Sequence, residues 1–151
     1  VVIRFKGDVP LWVLIPHIVI MFGAMMLSTR TGLELFSPKS DVKKLTIWTI
    51  VWLFIGGFIL GPLTQYYAFG AFWTGVPFGH DLTDNKTLIA MSGWIFVFFM
   101  YRKSKKPQVW AFVGAIILTL VYLIPHSLMG SELDYNKIDQ AQEQTIEQSN
   151  N

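Results

Sequence analysis

The sequence predicts an all-α protein, a bundle of four membrane-crossing helices with both chain termini on the same, outer side. Three observations predict it. Hydrophobic residues fill 52% of the 151 positions and charged ones only 15%, against roughly 25% charged in an ordinary soluble domain. The mean hydropathy is +0.44. The apolar residues also gather into blocks near the ~20 residues that a bilayer-crossing helix needs. They lack the polar stripe that each helix of a soluble bundle carries.

The first span, about 9–28, is uncharged and holds one histidine. Read as a secretory signal it has no convincing small-residue cleavage site. The second, about 45–64, is uncharged and contains Gly57 and Gly61. That GxxxG pair lets a helix approach closely, and packing within the bundle is expected ahead of a dimer contact. From Tyr66 to Gly79 the chain is aromatic, glycine-rich and too short to span. It suits the membrane interface, as a half-helix or a lid on the outer face. The third span, about 84–101, is expected to start at a cap supplied by Thr83 or Asp84. The fourth, about 108–129, is uncharged with one histidine. Residues 1–135 thus form the membrane domain. Residues 136–151 form a tail rich in Gln, Asn and Glu that fits disorder better than a short helix.

Orientation follows from the basic residues of the short loops. Arg30, Lys39, Lys43 and Lys44 lie in the first loop, and Arg102, Lys103, Lys105 and Lys106 in the third. These are eight of the 12 Lys and Arg, so those loops are expected in the cytoplasm and the termini in the periplasm of a bacterial inner membrane. Arg4 and Lys6, ahead of the first span, pull the other way. A net charge of +2 is too weak a bias for nucleic-acid binding. The absence of cysteine excludes disulfides, thiolate-held iron–sulfur clusters, Cys-type zinc sites and covalently attached haem.

The strongest local signal is a repeated tetrapeptide, Leu14-Ile15-Pro16-His17 in the first span and Leu123-Ile124-Pro125-His126 in the last. Ionisable groups at membrane depth are expensive and usually functional. At 1.5 Å per residue, His17 lies ~12 Å and His126 ~5 Å inside the outer ends of their spans, a difference that tilt or a proline kink absorbs. Either histidine alone reads as a hydrogen bond between helices. The duplication moves the pair towards ligation: two neutral imidazoles at matched depth suit the axial positions of one b-type haem, bound without a covalent link. The preceding proline frees the carbonyl four residues earlier. That carbonyl, or one nearby, is expected to accept the other ring N–H and fix the tautomer. Arg4 and Lys6, on the same side, would pair with the propionates.

With these histidines on two of four spans, the chain resembles the small four-helix membrane cytochromes b that anchor or serve respiratory oxidoreductases. The resemblance is architectural and covers the membrane region. It implies an electron-transfer subunit relaying electrons between quinol and an outer acceptor, with other membrane subunits of an oxidoreductase complex as partners. Pairing of His80 with His17 or His126 is the alternative ligand set, though a loop holds a ligand less rigidly than a helix. Met21 and Met25, four and eight residues after His17, are axial candidates that at this spacing more often pack. His80 and Asp81, beside Phe69, Phe72, Trp73 and Phe78, meet the description of a quinone slot with a proton acceptor; an interfacial aromatic belt next to a solvated loop is the ordinary reading of the same residues. Ser127, Glu132, Asp134 and Tyr135 follow the last histidine, as a proton exit or a docking edge. The competing function is a cofactor-free accessory or assembly subunit whose histidines bridge helices. An ion carrier is disfavoured, because no span core holds a carboxylate or a basic residue.

Overall fold

The structure, a computed structural model, describes residues 7–36, 41–79 and 82–124. It is all-helical, with no strand among the described residues. Helix α1 runs Leu11–Gly32 and tightens into a 3₁₀ turn over Leu33–Leu35. Helix α2 is one rod, Val42–Phe69, whose middle, Ile55–Leu60, is π-helical. Helix α3 is Leu82–Lys103 and α4 is Pro107–Leu123.

The ends of these helices have local causes. Asp41 caps α2 by accepting the Lys44 N–H at 3.2 Å. Gly70 ends it at φ +73°, the left-handed cap that glycine adopts without a Cβ penalty, and its N–H returns to the Tyr66 carbonyl at 2.8 Å. Pro107 opens α4, where a missing N–H costs nothing. The same helix stops at Leu123, because Ile124 takes φ −75°, ψ 116°, the extended backbone that a following proline imposes. Residues 125–129 of the expected fourth span lie outside the described residues. Pro16, by contrast, sits inside α1, which continues on both sides of it.

Two rods, Leu11–Leu35 and Val42–Phe69, are long and apolar enough to cross a membrane. Helix α4 is apolar but has 17 residues. Helix α3 is long, yet Asp84 and Lys86 occupy its first turns and Arg102 and Lys103 its last.

Each helix runs antiparallel to the next, and α1 and α3 stand at opposite corners, each packed on both α2 and α4. The register is visible in pairs. Thr31 Oγ1 lies 3.4 Å from Thr49 Oγ1 near one end of the α1–α2 seam, while His17 meets Gly56 towards the other. The core holds Leu53, Trp94 and Leu118, all essentially without solvent contact, among the small residues Ala24, Ala90 and Ala111. Outward, α1 shows Leu11, Trp12, Val19, Phe22 and Met26, each more than half exposed.

One close approach makes a test of the packing. A Cβ on Gly57 of α2 would stand 2.5 Å from Thr87 Cγ2 of α3. Gly57→Ala is expected to destabilise the bundle by about 1–3 kcal/mol, outweighing the ~1 kcal/mol that alanine gains in a helix. In a Thr87→Ser background, which removes that methyl, the same change becomes neutral or stabilising. Thermal unfolding of the four proteins in mild detergent reads the reversal of sign.

Candidate functional site

His17 is carried by α1, and its Nδ1 donates to the Gly56 carbonyl of α2 at 3.0 Å. A carbonyl only accepts, so Nδ1 bears the proton, and in a neutral ring the lone pair then sits on Nε2. The acceptor therefore comes from the neighbouring helix. It is not the α1 carbonyl freed by Pro16, which corrects the local source expected from the Pro-His pair. Gly56 lies in the π-helical turn of α2, and its oxygen also takes the Gly61 N–H in the i→i+5 pattern. Glycine at position 56 lets α1 close in, because a Cβ there would stand 2.6 Å from Met21 Sδ. Met21 is thus packing against α2.

The other two helices join at the same end. Tyr122 Oη of α4 donates to the Met21 carbonyl of α1 at 2.8 Å. The Lys86 ammonium of α3, only 5% exposed, donates to the Ile124 carbonyl at 2.7 Å. A cation there complements the negative end of the α4 dipole. Four helices are therefore cross-tied near one end by an imidazole, a phenol and an ammonium.

Above this level sits the 70–79 segment, held by α3. Asp84 Oδ2 accepts from the Thr74 N–H at 2.5 Å, the Gly75 N–H at 2.9 Å and the Thr74 hydroxyl at 3.3 Å. Asn85 Oδ1 accepts from the Val76 N–H at 2.8 Å, and Gln65 of α2 donates to Thr74 Oγ1 at 2.6 Å. Asp84 was expected as a candidate cap of α3; since α3 already begins at Leu82, its carboxylate serves the loop instead. Trp73 stacks on Phe58 at 5.6 Å and donates its Nε1–H to the Val76 carbonyl, Phe72 stacks on Tyr66 at 4.3 Å, and Phe78 faces outward. The aromatic residues expected to wall a quinone slot are thus shared between two separate stacks on α2 and the surface.

Of the residues singled out in the sequence, His17, Met21, Met25, Phe69, Phe72, Trp73 and Phe78 are described. His126, His80, Asp81, Arg4 and Lys6 lie outside the described residues, as do Ser127, Glu132, Asp134, Tyr135 and the tail. Among the described residues no group of three or more His, Asp or Glu is placed to hold a metal ion; a two-histidine axial pair is a smaller set than that. Sequence reasoning passed over Gly56, Lys86, Asn85 and Tyr122. Asp84-Asn85-Lys86 are consecutive positions, yet each ties α3 to a different group.

The opposite end is basic. Arg30, Lys43, Lys44, Arg102, Lys103, Lys105 and Lys106 are all exposed there, against two acids among the described residues, Glu34 and Asp41. Glu34 is fully buried and paired with Arg30 one turn earlier. Family models, curated proteins and solved structures were compared with the chain, and none matches.

Proposed function

We propose that the chain is a multi-pass integral membrane protein whose four helices all cross the bilayer, and that it serves as an electron-transfer subunit with one non-covalent b-type haem at the His17 end. The exposed apolar faces support the first part. The outward face of α1 between Leu11 and Met26, with Leu11, Trp12, Val19, Phe22 and Met26 exposed, is costly in water and at ease in lipid. Seven exposed cations at the far end favour a cytoplasmic position for that end, with the His17 end and the termini in the bacterial periplasm.

The observation that carries the second part is the hydrogen bond from His17 Nδ1 to Gly56 O. It sets the tautomer and the ring plane from a neighbouring helix, as partners of metal-bound imidazoles do, and in the neutral ring it puts the lone pair on Nε2. The donor set suits a haem iron. His126, two residues beyond Ile124 in sequence, is the proposed second ligand, with His80 the alternative, and Arg4 and Lys6 the partners of the propionates. The bound haem would supply the one-electron exchange. The chain's own residues hold the ring by Gly56 and fasten α4 by Tyr122 and Lys86. A quinone beside His80 and Asp81, and further membrane subunits of an oxidoreductase, complete the proposal.

One observation favours the cofactor-free accessory reading: His17, Tyr122 and Lys86 each already join two helices. Purification in mild detergent from haem-replete cells decides. The haem reading expects a red protein whose Soret band shifts on dithionite, and loss of that band in His17→Ala and in His126→Ala. A colourless wild-type protein establishes the accessory reading. Full haem in both variants moves ligation to His80 or a methionine.

A further inference from the structure

Between α1 and α4, near the basic end, lies an open groove of about 210 Å³, bordered by Thr29, Gly32, Phe112, Ala115, Thr119 and Leu120. Its walls are apolar for a specific reason. The two threonines turn their hydroxyls back onto their own helices, Thr29 to the Met25 carbonyl at 3.0 Å and Thr119 to the Ala115 carbonyl at 2.9 Å, and so present methyl groups outward. The floor is shallow because a Cβ on Gly32 would stand 2.6 Å from Ala115 Cβ, so the helices touch where a side chain would otherwise fill the space. Phe112, which borders the groove, meets Phe36 edge to face at 5.9 Å. Waters placed there would find little in such a lining to bond them.

We propose that this groove holds an acyl chain of an anionic phospholipid, with the phosphate among Arg30, Lys105 and Lys106. Charge complementarity names the occupant. Arg30 follows Thr29 directly and is half exposed. Lys105 and Lys106 are exposed immediately before α4 begins, and Phe112 follows Pro107 by five residues, ~7.5 Å of helix rise. Arg30 also pairs with the buried Glu34, so the uncompensated positive charge offered to the headgroup is that of Lys105 and Lys106. A second copy of the chain docked side by side in the same orientation would set one basic end against another, which like-charge repulsion opposes. An anionic headgroup in the inner leaflet is attracted there instead.

The inference rests on the membrane reading and is tested apart from it. Carbonate-washed vesicles carrying the protein report that reading: release of the chain into the supernatant would refute membrane embedding itself. For the lipid site, delipidated protein in detergent is titrated with phosphatidylglycerol, with phosphatidylcholine of the same acyl chains, and with glycerol 3-phosphate. The expected result is a saturable rise of a few degrees in the unfolding midpoint with phosphatidylglycerol, and little with the other two. Thr29→Phe, which fills the groove, should abolish the rise, and Lys105→Gln with Lys106→Gln should remove the preference over phosphatidylcholine. Thr119→Phe serves as a second filling variant should the first not fold. Equal responses to both lipids, a full response to glycerol 3-phosphate, or an undiminished rise in a folded groove-filling variant would overturn the proposal.

Discussion

Replacing Trp94 by alanine is expected to lower the stability of the protein by about 3–5 kcal/mol, the largest effect of any single core substitution. Trp94 is the largest side chain wholly shielded from solvent among the described residues. It stands where α3 meets α4, with ring atom Cε2 3.7 Å from the point a Gly114 Cβ would occupy. The neighbouring helix is backbone at that point, and backbone cannot move in to refill a cavity. Trp94→Phe should cost far less, about 1–2 kcal/mol, because the indole Nε1 has no hydrogen-bond acceptor in the structure and no bond is lost with it. Thermal unfolding in mild detergent separates the two variants. A Phe variant as unstable as the Ala variant would mean that the indole N–H is bonded after all.

The second large effect is expected at Asp84. One carboxylate oxygen takes two backbone N–H groups and a hydroxyl from Thr74 and Gly75, and the residue is 5% exposed. Asp84→Ala leaves those donors unpaired in a nearly dry site, a loss of about 2–4 kcal/mol if the loop stays in place. The chain can avoid part of that cost by letting the segment open to water. Amide exchange should therefore quicken at residues 74–76 far more than in α1. Asp84→Asn keeps an oxygen acceptor and should cost roughly half as much, since bonds to a charged acceptor are about twice as strong as neutral ones. Uniform exchange along the chain in Asp84→Ala would show that the carboxylate does not anchor this loop.

Much of the fold was legible in one dimension. The length of an apolar run specifies a helix whatever it packs against, and α1, α2 and α3 overlap the runs at 9–28, 45–64 and 84–101, with α2 extending furthest beyond its run. The stop of α4 at Leu123 was legible too, because a residue before proline is pushed out of the helical region by its immediate neighbour. The apolar run across Pro125 outweighed that signal in the reading of a span to 129. At the site the balance differs. His17 stood out as an ionisable group in an uncharged block, yet its partner is 39 residues away and is a carbonyl, which carries no residue type to search for.

Apolar run lengths, the spacing of charges and the residues flanking each proline and glycine thus specified the all-helical character, the number of helices among the described residues and the basic character of one end, since these act through neighbours along the chain or through the solvent. Which helices adjoin, and therefore that Gly56 would meet His17, that Lys86 would reach the end of α4 and that Asp84 would hold a loop instead of capping a helix, followed from packing in three dimensions. A hydrogen bond is directional and short-ranged, so the pairing of groups far apart in sequence depends on ångström-level placement that no local pattern encodes.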